Sequence, residues 1–120
     1  MNPSDVIMYG IPNCDTIKKA RHWLSEQQIN YQFHDYRKDG LSRDLLEQFE
    51  AQLGWQALLN KRGTTYRKLP DEQKNALDKE SAITLMLEQP AMIKRPLLAR
   101  DGQYLLGFKD TSYTEFFSEN

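Results

Sequence analysis

The chain of 120 residues predicts an α/β fold, with a four-stranded mixed sheet and a helical insertion between a β-α-β half and a β-β-α half. Three observations predict it. A short apolar run, Val6 to Tyr9, stops at Gly10 and Pro12 and passes at once into a helical pattern. Two later apolar runs flank Asp101-Gly102, a dipeptide suited to a tight hairpin. Between these ends, from roughly Leu41 to Gln89, the pattern is helical or irregular throughout.

Each element follows from its residues. Val6 to Tyr9 reads as the first strand. From Asp15 to about Gln28, Ile17, Ala20 and Leu24 fall on one stripe with Trp23 at its edge, as in a helix with one buried face. Asp15 in the first turn suits the positive end of the helix dipole. Tyr31 to Tyr36 is rich in aromatics and predicts a second strand, closed by Asp39-Gly40. Ser42 can cap a helix to about Leu53, with Leu45, Leu46, Phe49 and Leu53 as its apolar stripe and Gly54 as its stop. Further helices are expected at Asp71–Leu77 and Lys79–Glu88, the latter ended by Pro90. Strands are expected at Leu97–Arg100 and Gln103–Phe108, then a last helix at Thr111–Phe117. The β-α-β start implies a parallel pair and the hairpin an antiparallel edge. This is the order of a thioredoxin-like fold with an insertion, expected at about 41–89 within one domain spanning 1–120.

Composition narrows the function. The net charge of −1 gives no field to draw nucleic acid or an anionic membrane. No apolar run approaches the ~18 residues of a membrane span, and no secretory leader pattern is present. One cysteine, Cys14, cannot make an internal disulfide, which suits a reducing cytoplasm. A cytoplasmic monomer or weak oligomer is expected. No Cys/His cluster has zinc spacing, and there is no glycine-rich phosphate loop.

Cys14 is the candidate for chemistry. A free thiol has a pKa near about 8.5, and a helix N-terminus can lower it, because first-turn N–H groups and aligned dipoles favour the thiolate. Cys14 stands one residue before the helical stripe, at the cap or the end of the loop. Lys18, one turn on, can add positive charge, and Asp15 opposes it. The bland alternative is a small buried hydrophobe, which most free cysteines are. His22 lies two turns away, roughly 12 Å along the axis, too far to act as a base. His34, in the second strand, fits ordinary packing better. The basic run Lys61 to Lys68 reads as a solvated loop before it reads as a contact for substrate carboxylates or a partner.

The segments "YGIPNCDTIKKARHWL", "DGLSRDLLEQF" and "IKRPLL" together resemble the ArsC/Spx-related family, most closely its YffB-like branch of glutathione-dependent thiol reductases. The likeness runs from Val6 to about Phe117. It implies a thioredoxin-like core with a helical insertion, a nucleophile at Cys14, and an Arg-Pro pair at Arg95-Pro96 whose proline is cis and lies beside the cysteine. The backbone before such a proline, together with Asn13 and Arg95, would hold glutathione, and first-turn N–H groups near Asp15 and Thr16 would steady the thiolate. Glutathione would serve as co-substrate, with no tightly bound cofactor. The implied activity is monothiol thiol–disulfide exchange, since Ile17 stands where Spx-type regulators carry a second cysteine. Two alternatives accompany the resemblance. One is an Spx-like regulator that binds RNA polymerase without a redox switch. The other is an arsenate reductase coupled to glutathione and glutaredoxin, against which Asn60 and Gly107 replace two family arginines, with Arg62 and Lys109 each two residues away.

Overall fold

The computed structural model describes residues 6–118. They form two compact units. The first holds the residues up to Asp39 and those from Arg95 onward; the second is Gly40–Lys94.

The first unit carries the sheet. β1 (Val6–Gly10) pairs in parallel with β2 (Gln32–Asp35). On its other side β1 runs antiparallel to β3 (Leu97–Arg100), which pairs with β4 (Gln103–Leu106). The strand order is β2-β1-β3-β4, so the mixed, thioredoxin-like sheet expected from the element order is present. The hairpin turns on Asp101 and Gly102, both at positive φ (51° and 78°), the conformation that makes such a dipeptide a hairpin signal.

Alternation of side chains along β1 sorts the two faces of the sheet. Val6, Met8 and Leu98 are buried on one face with Ile17, Ala20 and Leu24 of α1 (Asp15–Glu26). The C-terminal helix joins the same cluster through Tyr113, whose ring meets Trp23 edge-on at 5.4 Å and Phe108 at 4.7 Å. α1 stops at Glu26, two residues early, because Gln28 turns left-handed (φ 58°) and the N–H of Ile29 donates back to Leu24 O. β4 likewise ends at Leu106: Gly107 takes φ 78°, which frees Phe108 to pack against the core.

The second unit is helical. α2 (Arg43–Leu53) is capped by the Ser42 hydroxyl, which accepts from Leu45 N–H at 3.1 Å. Its buried stripe is narrower than expected: Leu46 and Phe49 are fully buried, Leu45 and Leu53 only half. Three short turns escape sequence reading, α3 (Trp55–Leu58), α4 (Thr64–Arg67) and a 3-10 turn at Pro90–Met92. Four residues carry no readable periodicity. α5 (Asp71–Asn75) ends two residues before Leu77. α6 (Lys79–Glu88) begins at a reciprocal cap between Asp78 and Ser81 and buries Ala82, Ile83, Leu85 and Met86. The last helix, α7 (Asp110–Ser118), completes the first unit.

Candidate active site

Gly10 builds the site from below. It ends β1 opposite Asp35, and its carbonyl accepts from Tyr36 N–H at 3.0 Å. A Cβ at this position would stand 2.5 Å from Ile17 Cδ1 and 3.7 Å from Arg95 Cβ. The missing side chain is what lets Ile17 of the first turn of α1 close on the end of β1, while Arg95 Cβ lies at ordinary contact distance. The turn Ile11–Asn13 then delivers Cys14 to the N-cap of α1 in extended geometry (φ −144°, ψ 127°), with its N–H donating to Pro12 O at 2.9 Å.

Cys14 is half-buried and packs beside the apolar cluster. Burial by itself raises the thiol's pKa. The N–H groups of Ile17 and Thr16, and then the charge and hydrogen-bonding side chain of Arg95, outweigh it, and the thiol lies below its ordinary value. The two N–H groups point at the sulfur from the helix end, where the aligned dipoles also favour the thiolate. The direction is the one expected from position. The groups responsible differ in part: Ile17 and Thr16 supply the N–H dipoles, where Asp15 and Thr16 were expected.

Arg95, distant in sequence, does come to the cysteine, where its charge and side chain act on the sulfur. The Arg95-Pro96 bond is cis, Pro96 is buried, and its carbonyl accepts from Gly107 N–H at 2.9 Å. The remaining candidates stand on the rim. Asn13, Asp15 and Lys18 are exposed, Thr16 is half-buried, and Lys18 N–H donates to Cys14 O at 3.0 Å as the first helical bond.

Sequence reading missed an aromatic group behind Arg95. Tyr9 packs against His34 at 5.0 Å between ring centroids and stacks on Tyr36 at 6.1 Å. Burial, with Tyr9 adding to it and Arg95 opposing it, pushes the Tyr36 hydroxyl far up. Burial and Tyr104 raise Tyr9 as well. Both phenols are held toward their neutral form, so Arg95 meets no phenolate there. The placement of Tyr9 on β1, His34 on β2 and Tyr36 just past its end is the signal that could have found the group. His34 thus sits in packing, while His22 faces solvent 3.6 Å from Glu26. Among the described residues no His, Cys, Asp or Glu group could hold a metal ion, and no helix is long and apolar enough to cross a membrane.

A thioredoxin-like sheet, with one lowered thiol at a helix N-terminus and a cis Arg-Pro beside it, defines the class of protein. Within that class the chain belongs to the ArsC family, whose model matches residues 9–116. It is similar to a solved YFFB protein at 51% identity and TM-score 0.87, over 92% of this chain and 96% of that one. It is also similar to an arsenate reductase (ArsC) related protein from Brucella melitensis, at 48% identity and TM-score 0.81, with 99% of both chains covered. A global transcriptional regulator Spx from Streptococcus pyogenes is 26% identical over 96% of this chain and 87% of its own length.

Proposed function

We propose that the protein is a monothiol, glutathione-dependent thiol–disulfide oxidoreductase acting through Cys14. The observation that carries this reading is the Cys14 thiol, lowered by the helix end and Arg95 in a chain with no second cysteine. The Cys14 thiolate attacks the glutathione sulfur of a mixed disulfide R–S–S–G. The S–S bond breaks, RS⁻ leaves and takes a proton, and a Cys14–glutathione disulfide forms. The thiolate of a second glutathione attacks the glutathione sulfur of that intermediate, releasing oxidised glutathione and restoring the Cys14 thiolate. The sum converts R–S–S–G and one free glutathione into R–SH and glutathione disulfide, and no resolving cysteine of the chain is needed. Asn13 and the backbone before Pro96 orient the tripeptide, and Arg95 serves both thiolate and bound anion. The reaction suits a cytoplasm that keeps glutathione reduced.

The test is turnover of a glutathionylated substrate with glutathione, alongside mass analysis of the trapped enzyme. One glutathione on Cys14 and complete loss of turnover in Cys14→Ser are expected. Turnover surviving Cys14→Ser would place the chemistry elsewhere.

Likeness to Spx favours a second reading, partner binding without catalysis, with RNA polymerase as the partner. Cys14→Ser would then capture polymerase as well as the native chain does, and neither would turn over disulfides. Arsenate turnover is expected to be absent. Asn60 and Gly107 stand where two family arginines would, and each lost guanidinium removes charge-assisted bonds to a tetrahedral oxyanion.

A further inference from the structure

The second unit holds a cavity of about 340 Å³ that the thiol chemistry does not use. Lys61, Arg62 and Lys94 line it, with the amides of Gln56 and Asn60 and the apolar Leu59. No carboxylate lines it. The backbone holds the cations together across a gap of over thirty residues. Lys94 N–H donates to Leu58 O at 2.7 Å, and Asn60 N–H to Met92 O at 2.7 Å, around an antiparallel bridge between Leu59 and Ile93. Both bonds are short, and Leu58, Leu59, Met92 and Ile93 are buried, so the frame is anchored in the unit's apolar interior.

In the same unit Arg43 pairs with Glu47 and Glu80, and Lys79 with Glu50. Lys61, Arg62 and Lys94 have no ion-pair partner among the described residues. All three are exposed. Three like charges around one concavity repel each other, and a multiply charged anion relieves that repulsion. The Asn60 amide supplies a neutral donor, and Gly63 leaves room for it: a Cβ there would stand 3.0 Å from Asn60 Nδ2. The volume is that of a small-molecule site.

We propose that this cavity binds a small organic polyanion through its phosphate or carboxylate oxygens, with Arg62 giving a planar two-donor fork and the lysines point charges. Asn13, Cys14, Arg95 and Pro96 do not line it; the inference rests on the Cys14 reading only where the ligand is glutathione disulfide. Its oxyanion chemistry could come from a phosphorylated metabolite or from the carboxylates of glutathione disulfide.

The experiment titrates the full chain, at low salt, with inorganic pyrophosphate, and the full-length Cys14→Ser variant, which cannot form the mixed disulfide, with glutathione disulfide, following backbone amide resonances. Saturable shifts centred on residues 56–63 and 92–94 are expected with at least one probe. Shifts with pyrophosphate alone assign a phosphate-bearing ligand, and shifts with glutathione disulfide assign tripeptide carboxylates; either supports the site. The paired change Arg62→Gln with Lys94→Gln is expected to weaken binding on the order of a hundredfold, about tenfold per lost charge-assisted contact. Both residues are exposed, and an unchanged spectrum of the free variant verifies its fold. No saturable shift with either probe, or equal affinity in the paired variant, overturns the proposal. Cys14→Ser is expected to bind pyrophosphate as the native chain does. Lost anion binding with intact thiol turnover therefore counts against this site alone, and the converse result against the thiol reading alone.

Discussion

At the residue scale, Arg95 and the first turn of α1 set the state of Cys14, and each can be tested separately. Arg95→Gln removes the positive charge beside the sulfur and is expected to raise the thiol's pKa, leaving several-fold less thiolate at about pH 7. Arg95→Lys is expected to retain part of the effect. Alkylation rate against pH measures both. The same lowering makes stability depend on pH. The thiolate is favoured in the native state over the unfolded one, so the contribution is complete above the unfolded thiol's pKa of about 8.5 and is lost as pH falls through the lower native value. The melting-temperature gap between native protein and Cys14→Ser is therefore expected to widen in favour of the native protein as pH rises through this window. A gap that is flat or narrows would contradict it. Cys14 itself was legible from its place between strand and helix. Arg95 was not, because nothing local in Lys94-Arg95-Pro96 points eighty residues back; only the family resemblance did. Tyr36 and Tyr9 stayed hidden because their role depends on strand pairing.

At the scale of elements, Gly10 and Ser42 carry the clearest expectations. Gly10→Ala drives a methyl group into Ile17, which is fully buried and has little room to yield. A loss of about 1–3 kcal/mol is expected in denaturant unfolding. Displacement of the first turn should also raise the Cys14 pKa. Ser42→Ala removes the cap on Leu45 N–H and is expected to cost about 1 kcal/mol with no change at Cys14. β1, α1, the hairpin and the Ser42 cap were readable because hydrophobic period and turn chemistry agree there. α3, α4 and the turn at Pro90–Met92 were not, since short turns are decided by the backbone around them, as Lys94 and Asn60 show by bonding to Leu58 and Met92.

At the scale of the whole molecule, one feature of composition shapes the chemistry: a single cysteine. Oxidation cannot be stored as a disulfide within the chain, so any disulfide at Cys14 must join it to a second molecule. Treatment with glutathione disulfide is expected to add one glutathione per chain, with no further adduct. The basic run that sequence reading treated as one solvated loop divides in the structure. Lys61 and Arg62 line a cavity, while Tyr66 in α4 receives Lys74 over its ring at 5.4 Å. The fold was legible from element order, whereas this division required knowing where the chain returns at Lys94.

The most direct measurement is the pH dependence of mixed-disulfide formation between the native chain and glutathione disulfide, read by intact mass. If Cys14 is the working thiol, one glutathione attaches to it, with an apparent pKa below the ordinary thiol value of about 8.5, and Arg95→Gln moves that midpoint upward. A midpoint at or above the ordinary value, or no adduct on Cys14, would contradict the central claim.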